Sequence, residues 1–166
     1  MMWSPSPNFT KGRGKYKPTA VVVHITDGSG SGALSWLKNP ASKVSAHYLV
    51  LEDGAILNLV KEEDTAWHTG TVDRPHWLSL ITGVNPNLYT IGIEFAGKIS
   101  DAARPAQQVA GAKLIDEILN RWKIPCTRKN IINHNEIRWS KACPGKIITA
   151  NFFYPFVLFL RYLRNV

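Results

Sequence analysis

A histidine, a lysine and a cysteine share one short stretch of this 166-residue chain, Ile132-Asn133-His134-Asn135-Glu136-Ile137-Arg138-Trp139-Ser140-Lys141-Ala142-Cys143-Pro144-Gly145. Far upstream, a valine run ends in a second imidazole, Val21-Val22-Val23-His24. His24, His134 and Cys143 together would make a three-ligand zinc set with a fourth position open, as hydrolytic zinc sites have. The spacing of His134 and Cys143 is not that of a zinc finger. Lys141 lies two residues before Cys143. It is a cation placed to meet a developing oxyanion, and it is expected to depress the thiol pKa.

Glu94 is set in the apolar run Tyr89-Thr90-Ile91-Gly92-Ile93-Glu94-Phe95. A carboxylate there is costly without a task or a partner. Alternation puts Gly92, Glu94 and Ala96 on one strand face, which reads as the floor of a cleft with Glu94 as a general base. His47 and His68 could each ligate metal. His68, between Trp67 and Gly70, reads better as a substrate contact, and Trp67 and His47 join it in that role. His76 reads as a surface residue. Cys126 could pair with Cys143 only by consuming the thiolate ligand.

The elements that must position these groups follow from patterning. Thr19 to Thr26 is a β-branched run suited to a buried central strand, and residues 27–32 read as a flexible connection. Ala33 to Lys38 reads as a short helix closed by Asn39-Pro40. Ser45–Leu51 and Ala55–Val60 read as a hairpin about Asp53-Gly54, and Tyr89–Phe95 as a further strand. Pro105 to Trp122 is the clearest helix, with Val109, Ala112, Ile115, Leu119 and Trp122 at helical spacing. The apolar tail Asn151–Val166 is expected to be a core-packing helix, with a membrane-touching amphipathic end as the alternative. The order implies an α/β fold, a single domain with a central mixed β-sheet flanked by helices, preceded by an extended arm over residues 1–18.

Apolar residues make up 45% and charged residues 19%, which excludes a disordered chain. Two cysteines are no disulfide framework. The opening Met1-Met2-Trp3-Ser4-Pro5-Ser6-Pro7 has no basic segment followed by an apolar run, so no signal peptide and cytoplasmic synthesis are expected. The net charge of +8 favours anionic partners, but the basic residues form no block, so a nucleic-acid partner is not expected.

Five stretches, in order, resemble the type 2 N-acetylmuramoyl-L-alanine amidases, a family of phage endolysins, anhydro-muropeptide amidases and peptidoglycan recognition proteins. They are Val21-Val22-Val23-His24, Val44-Ser45-Ala46-His47-Tyr48, Ala66-Trp67-His68-Thr69-Gly70, Ile91-Gly92-Ile93-Glu94, and His134 through Lys141-Ala142-Cys143-Pro144; the likeness covers roughly residues 19–150. The resemblance implies a peptidoglycan recognition protein-like fold and zinc on His24, His134 and Cys143. It implies Glu94 as the base that activates water and Lys141 as the stabiliser of the oxyanion. Some phage relatives carry a catalytic tyrosine where this chain has Ala46, so that role does not carry over; Tyr48 remains a partial substitute. The implied activity is hydrolysis of the bond between N-acetylmuramic acid and L-alanine, in peptidoglycan or a soluble muropeptide. A phage-type endolysin reaching the wall after release is the form expected, as a monomer whose catalytic domain spans residues 19–166 with no separate wall-binding domain. Anionic wall polymers or a membrane surface are the further partners the charge suits. The alternatives are a peptidoglycan-binding module that does not cut, and a regulator that binds nucleic acid or a polymerase.

Overall fold

The computed structural model describes residues 1–102 and 104–164, and the last two positions of the predicted tail helix, 165 and 166, lie outside them. The strands are β1 (Met2–Trp3), β2 (Phe9–Thr10), β3 (Ala20–Ile25), β4 (Tyr48–Val50), β5 (Ile56–Asn58), β6 (Thr65–Ala66), β7 (Thr90–Phe95) and β8 (Ile131–Asn133). The helices are α1 (Gly30–Lys38), α2 (Pro105–Arg121) and α3 (Ala150–Arg164). The main sheet runs β1-β5-β4-β7-β3-β8, and β2 pairs with β6 apart from it. Strands β4, β7, β3 and β8 are parallel, while β5 runs against β4. The sheet is therefore mixed and flanked by helices, as the sequence implies.

Strand β3 lies inside the sheet, between β7 and β8, because its valines can be buried on both faces. Val21 and Val23 share a cluster with Ile91, Ile93, Phe95, Ile115, Leu119 and Phe153, which is the face covered by α2 and α3. Val22 turns to the other face, with Trp77, Tyr89, Ile132 and Ile137. Alternation then sends His24 and Glu94 to that second face, which no long helix covers, so a cleft can form there.

Several expected details differ. Residues 1–18 are extended but are no loose arm: β1 adds a parallel edge strand to β5, and β2 pairs with β6. Helix α1 begins at Gly30 rather than Ala33, because the Ser29 hydroxyl accepts from the Gly32 N–H and Glu52 Oε1 accepts from the Gly30 N–H. A side chain at Gly30 would meet Glu52 and Leu51 at 2.7 Å, so glycine there permits the close approach. The buried face of α2 includes Gly111, Leu114 and Ile118, and Val109 is 37% exposed. Gly54 turns between β4 and β5 with φ +88°, as the Asp-Gly signal predicts. In α3, Phe153 and Val157 enter the core, whereas Phe159, Tyr162 and Leu163 stay more than half exposed. No helix among the described residues is long and apolar enough to cross a membrane.

Candidate metal centre

Parallel register gathers the chemistry. His24 pairs with Glu94 across β3 and β7, and Val23 pairs with Asn133 across β3 and β8, so His134 follows directly beside His24. All three groups lie at the carboxyl ends of parallel strands, where ligands bind in open α/β sheets. The loop after β8 then brings Cys143 across to the end of β3, where its Sγ accepts from the Ile25 N–H at 3.3 Å. The ligand atoms of His24, His134 and Cys143 lie within 4.8 Å of one another, and Cys143 Sγ is 4.0 Å from His24 Nδ1.

Hydrogen bonds fix which imidazole nitrogens point inward. His134 Nε2 donates to the Thr69 carbonyl at 3.0 Å, leaving Nδ1 with its lone pair. On His24 the same outcome is reached through a relay. The Thr90 hydroxyl donates to the Pro86 carbonyl at 2.8 Å, so its oxygen can only accept from His68 Nε2 at 3.2 Å. His68 Nδ1 is then an acceptor, and His24 Nε2 donates to it at 3.0 Å. The lone pair of His24 is thereby left on Nδ1, facing Cys143. Two neutral imidazoles with aimed lone pairs and one thiol are a donor set that fits a divalent metal of zinc's type.

Burial holds both candidate ligand histidines neutral. The pKa of His24 is pushed well below the ordinary imidazole value by burial and by its neighbours His134, His68 and Lys141. That of His134 falls to about 4, again chiefly through burial. For Cys143 the expected depression is reversed. Burial and the Glu94 carboxylate push the thiol above its ordinary range and outweigh Lys141, so in this environment it is a metal that would favour the thiolate. Burial likewise raises Glu94 to about 8, opposed by Lys141, and its Oε2 has no hydrogen-bond partner.

These groups open on a cleft of about 510 Å³. Glu94, His134, Cys143 and Lys141 line it, with Trp36 and Trp67 toward α1. Lys141 is exposed at its rim. Trp67, whose Nε1 donates to the Thr10 hydroxyl, remains placed for substrate. His68 does not present its polar atoms to the cleft, because both ring nitrogens are spent on His24 and Thr90. Its ring lies flush on Gly92, where a Cβ would fall 2.5 Å away. His47 is fully buried and cannot touch substrate: its Nδ1 accepts from the Gly92 N–H at 3.0 Å, and Arg13 Nη2 lies 2.7 Å from its Nε2. Tyr48 faces α2 and donates to Glu62, so it cannot stand in for a catalytic tyrosine. Cys126 packs against the core, and both cysteines are free.

Sequence reasoning missed Thr69, Asn87, Thr90 and Arg13. Asn87 Oδ1 accepts from both the His68 and Thr69 N–H groups, fixing the loop that orients both ligand histidines. Arg13 is buried and donates to carbonyls of Glu62, Asn87, Leu88 and Thr90. Nothing in the pattern around these residues marks them, since each acts through a partner remote in sequence.

A sequence model of the N-acetylmuramoyl-L-alanine amidase family matches residues 14–146. N-acetylmuramoyl-L-alanine amidase A of Achromobacter lyticus is 34% identical over 128 residues, 75% of this chain and 64% of that protein, so the chain spans under two thirds of that relative's length. Among solved structures, AmpD superposes with TM-score 0.76 at 24% identity, over 94% of this chain and 93% of that one. The amidase AmiD from E. coli, bound to the substrate anhydro-N-acetylmuramic acid-L-Ala-D-gamma-Glu-L-Lys, gives TM-score 0.65 at 24% identity, over 83% and 61%. These two likenesses concern the fold.

Proposed function

Since the chain belongs to the N-acetylmuramoyl-L-alanine amidase family, we propose that it is a zinc-dependent hydrolase cutting the amide between N-acetylmuramic acid and L-alanine in peptidoglycan. The observation that carries this reading is the meeting of His24, His134 and Cys143 beside a buried carboxylate with a free oxygen, on the floor of an open cleft. The residues that would hold the ion are those three. Zinc in such a site supplies Lewis acidity and lowers the pKa of water toward ~7.

The chain's own groups do the rest. Glu94 takes the proton of the attacking water and returns it to the alanine nitrogen as the bond breaks. Burial raises the pKa of the Glu94 carboxyl, which suits a group that must both accept and give up a proton. Lys141 meets the charge that develops on the scissile carbonyl oxygen. His68 and Thr90 hold the His24 ring in the tautomer that keeps its inward lone pair. Trp36 and Trp67 give the cleft an aromatic wall suited to the faces of a sugar. An endolysin role, with lysis of intact wall after release from the cytoplasm, is the form supported by the +8 charge, which suits anionic wall polymers.

Zinc content and the release of new alanine amino termini from purified wall test the reading in four proteins. The wild type is expected to carry one equivalent of zinc and to cut. Cys143→Ala should lose both metal and activity. Glu94→Gln should keep metal and lose activity. Lys141→Ala should keep metal and lose ~2–4 kcal/mol of barrier lowering, as when one oxyanion donor is removed. A zinc-loaded wild type that releases no alanine termini would make the chain a binder rather than an amidase.

A further inference from the structure

Arg138 is a cation in the cleft that the reaction leaves without a task. It lines the cavity with His134 and Lys141, at the β8 end of the sheet, opposite the Trp36 wall on α1. Its backbone is pinned: its N–H donates to the His134 carbonyl, its carbonyl accepts from the Lys141 N–H, and it bridges to Asp73. Its guanidinium is packed against the backbone of Gly70, where a Cβ would fall 3.0 Å from Nη1. Gly70 has φ +63°, so glycine suits both the turn and the approach.

The head group itself is unanswered. Arg138 Nε is buried and has no hydrogen-bond partner, and no acidic side chain among the described residues forms an ion pair with it. The acids nearby are engaged elsewhere: Asp73 pairs with Arg74, and Glu136 with Arg128. A buried guanidinium N–H without an acceptor is costly, and its fork matches a carboxylate. The cleft also carries Lys43, Arg138 and Lys141 against one acid, Glu94, so it favours an anionic ligand.

We infer that Arg138 binds a carboxylate of the peptide stem, the free α-carboxylate of a γ-linked D-glutamate one residue beyond the scissile amide. The inference rests on the proposed amidase reading for the choice of ligand. A γ-linkage leaves that α-carboxylate unreacted, and one residue along the stem is a step of ~3.8 Å between α-carbons. Arg138 is itself one helical turn beyond His134 and lines the same cleft, within reach of a stem that leaves the metal centre toward β8.

The test uses the released peptide, which has no scissile bond, so that binding is read apart from cleavage. Zinc-loaded wild type is titrated calorimetrically with L-Ala-D-γ-Glu-L-Lys and with the same peptide carrying an α-carboxamide. The carboxylate form is expected to bind about tenfold more tightly or better, with the difference shrinking at high salt. Arg138→Gln should erase the difference, and Arg138→Lys should keep part of it. Equal affinities in the wild type, or an undiminished preference in Arg138→Gln, would overturn the inference. Cleavage of the matching muropeptide is followed in parallel. Peptide discrimination without cleavage would defeat the amidase reading and leave Arg138 standing, whereas cleavage without discrimination would do the reverse.

Discussion

At the scale of single residues, the candidate metal centre depends on groups outside its own ligand set. His24 can offer Nδ1 only because His68 accepts the hydrogen bond from its Nε2–H, and His68 can do so only because the Thr90 hydroxyl is already committed to Pro86. Losing such an outer partner weakens metal binding by ~10–100-fold in known sites. His68→Ala is therefore expected to lower zinc affinity by about that factor in a chelator competition, with unchanged far-ultraviolet dichroism. Thr90→Val should produce a smaller loss in the same direction. Affinity equal to wild type in His68→Ala would show that the relay does not set the tautomer. The candidate ligands His24, His134 and Cys143 and the carboxylate Glu94 were legible in the sequence, since each is chemically conspicuous where it stands. The relay was not, because a threonine in a strand and an asparagine in a turn look the same whether or not they hold an imidazole. His68 was visible as a residue with a task but was assigned to substrate, for want of any sign that both its nitrogens are occupied.

Elements show the same division. β3, β7 and α2 announce themselves by run and period, and the Asp-Gly turn by its dipeptide. The pairing of β1 with β5 is two residues long, too short for any pattern to mark. Position 111 in α2 shows where pattern and packing oppose each other. Alanine is the better helix former by ~1 kcal/mol. Yet a Cβ there would fall 2.4 Å from the buried ring of Phe95, which is stacked on Phe153. Overpacking of that kind costs ~1–3 kcal/mol, so packing wins over propensity. Gly111→Ala is expected to lower the urea midpoint of the protein, and a rise would mean that the Phe95–Phe153 stack yields more readily than its burial implies.

For the whole molecule, the buried imidazoles govern the response to acid. His24, His47 and His68 are held well below their ordinary pKa, and His134 falls to about 4, all chiefly by burial. The unfolded chain therefore takes up protons first as pH falls from about 6.5, the usual histidine value. Protons bound preferentially by the unfolded state mean that stability is present above that value and is lost on descent toward the folded pKa. At pH 5 the loss amounts to at most ~2 kcal/mol for each such imidazole. Urea midpoints of the metal-free protein at pH 7.5 and pH 5 should differ clearly, with the acid sample weaker. Equal midpoints would mean that these rings are open to protons in spite of their burial.

Arg13 carries a consequence for how the chain matures. It reaches beneath the sheet to carbonyls of Glu62, Asn87, Leu88 and Thr90 and lies against His47. Every one of those acceptors is synthesised after it. Its set of acceptors is complete only once the residues up to the start of β7 have been made. Arg13 thus ties the front of the chain to β7 and to the imidazole that holds Gly92, and shortening the protein to its visible motifs would remove that tie.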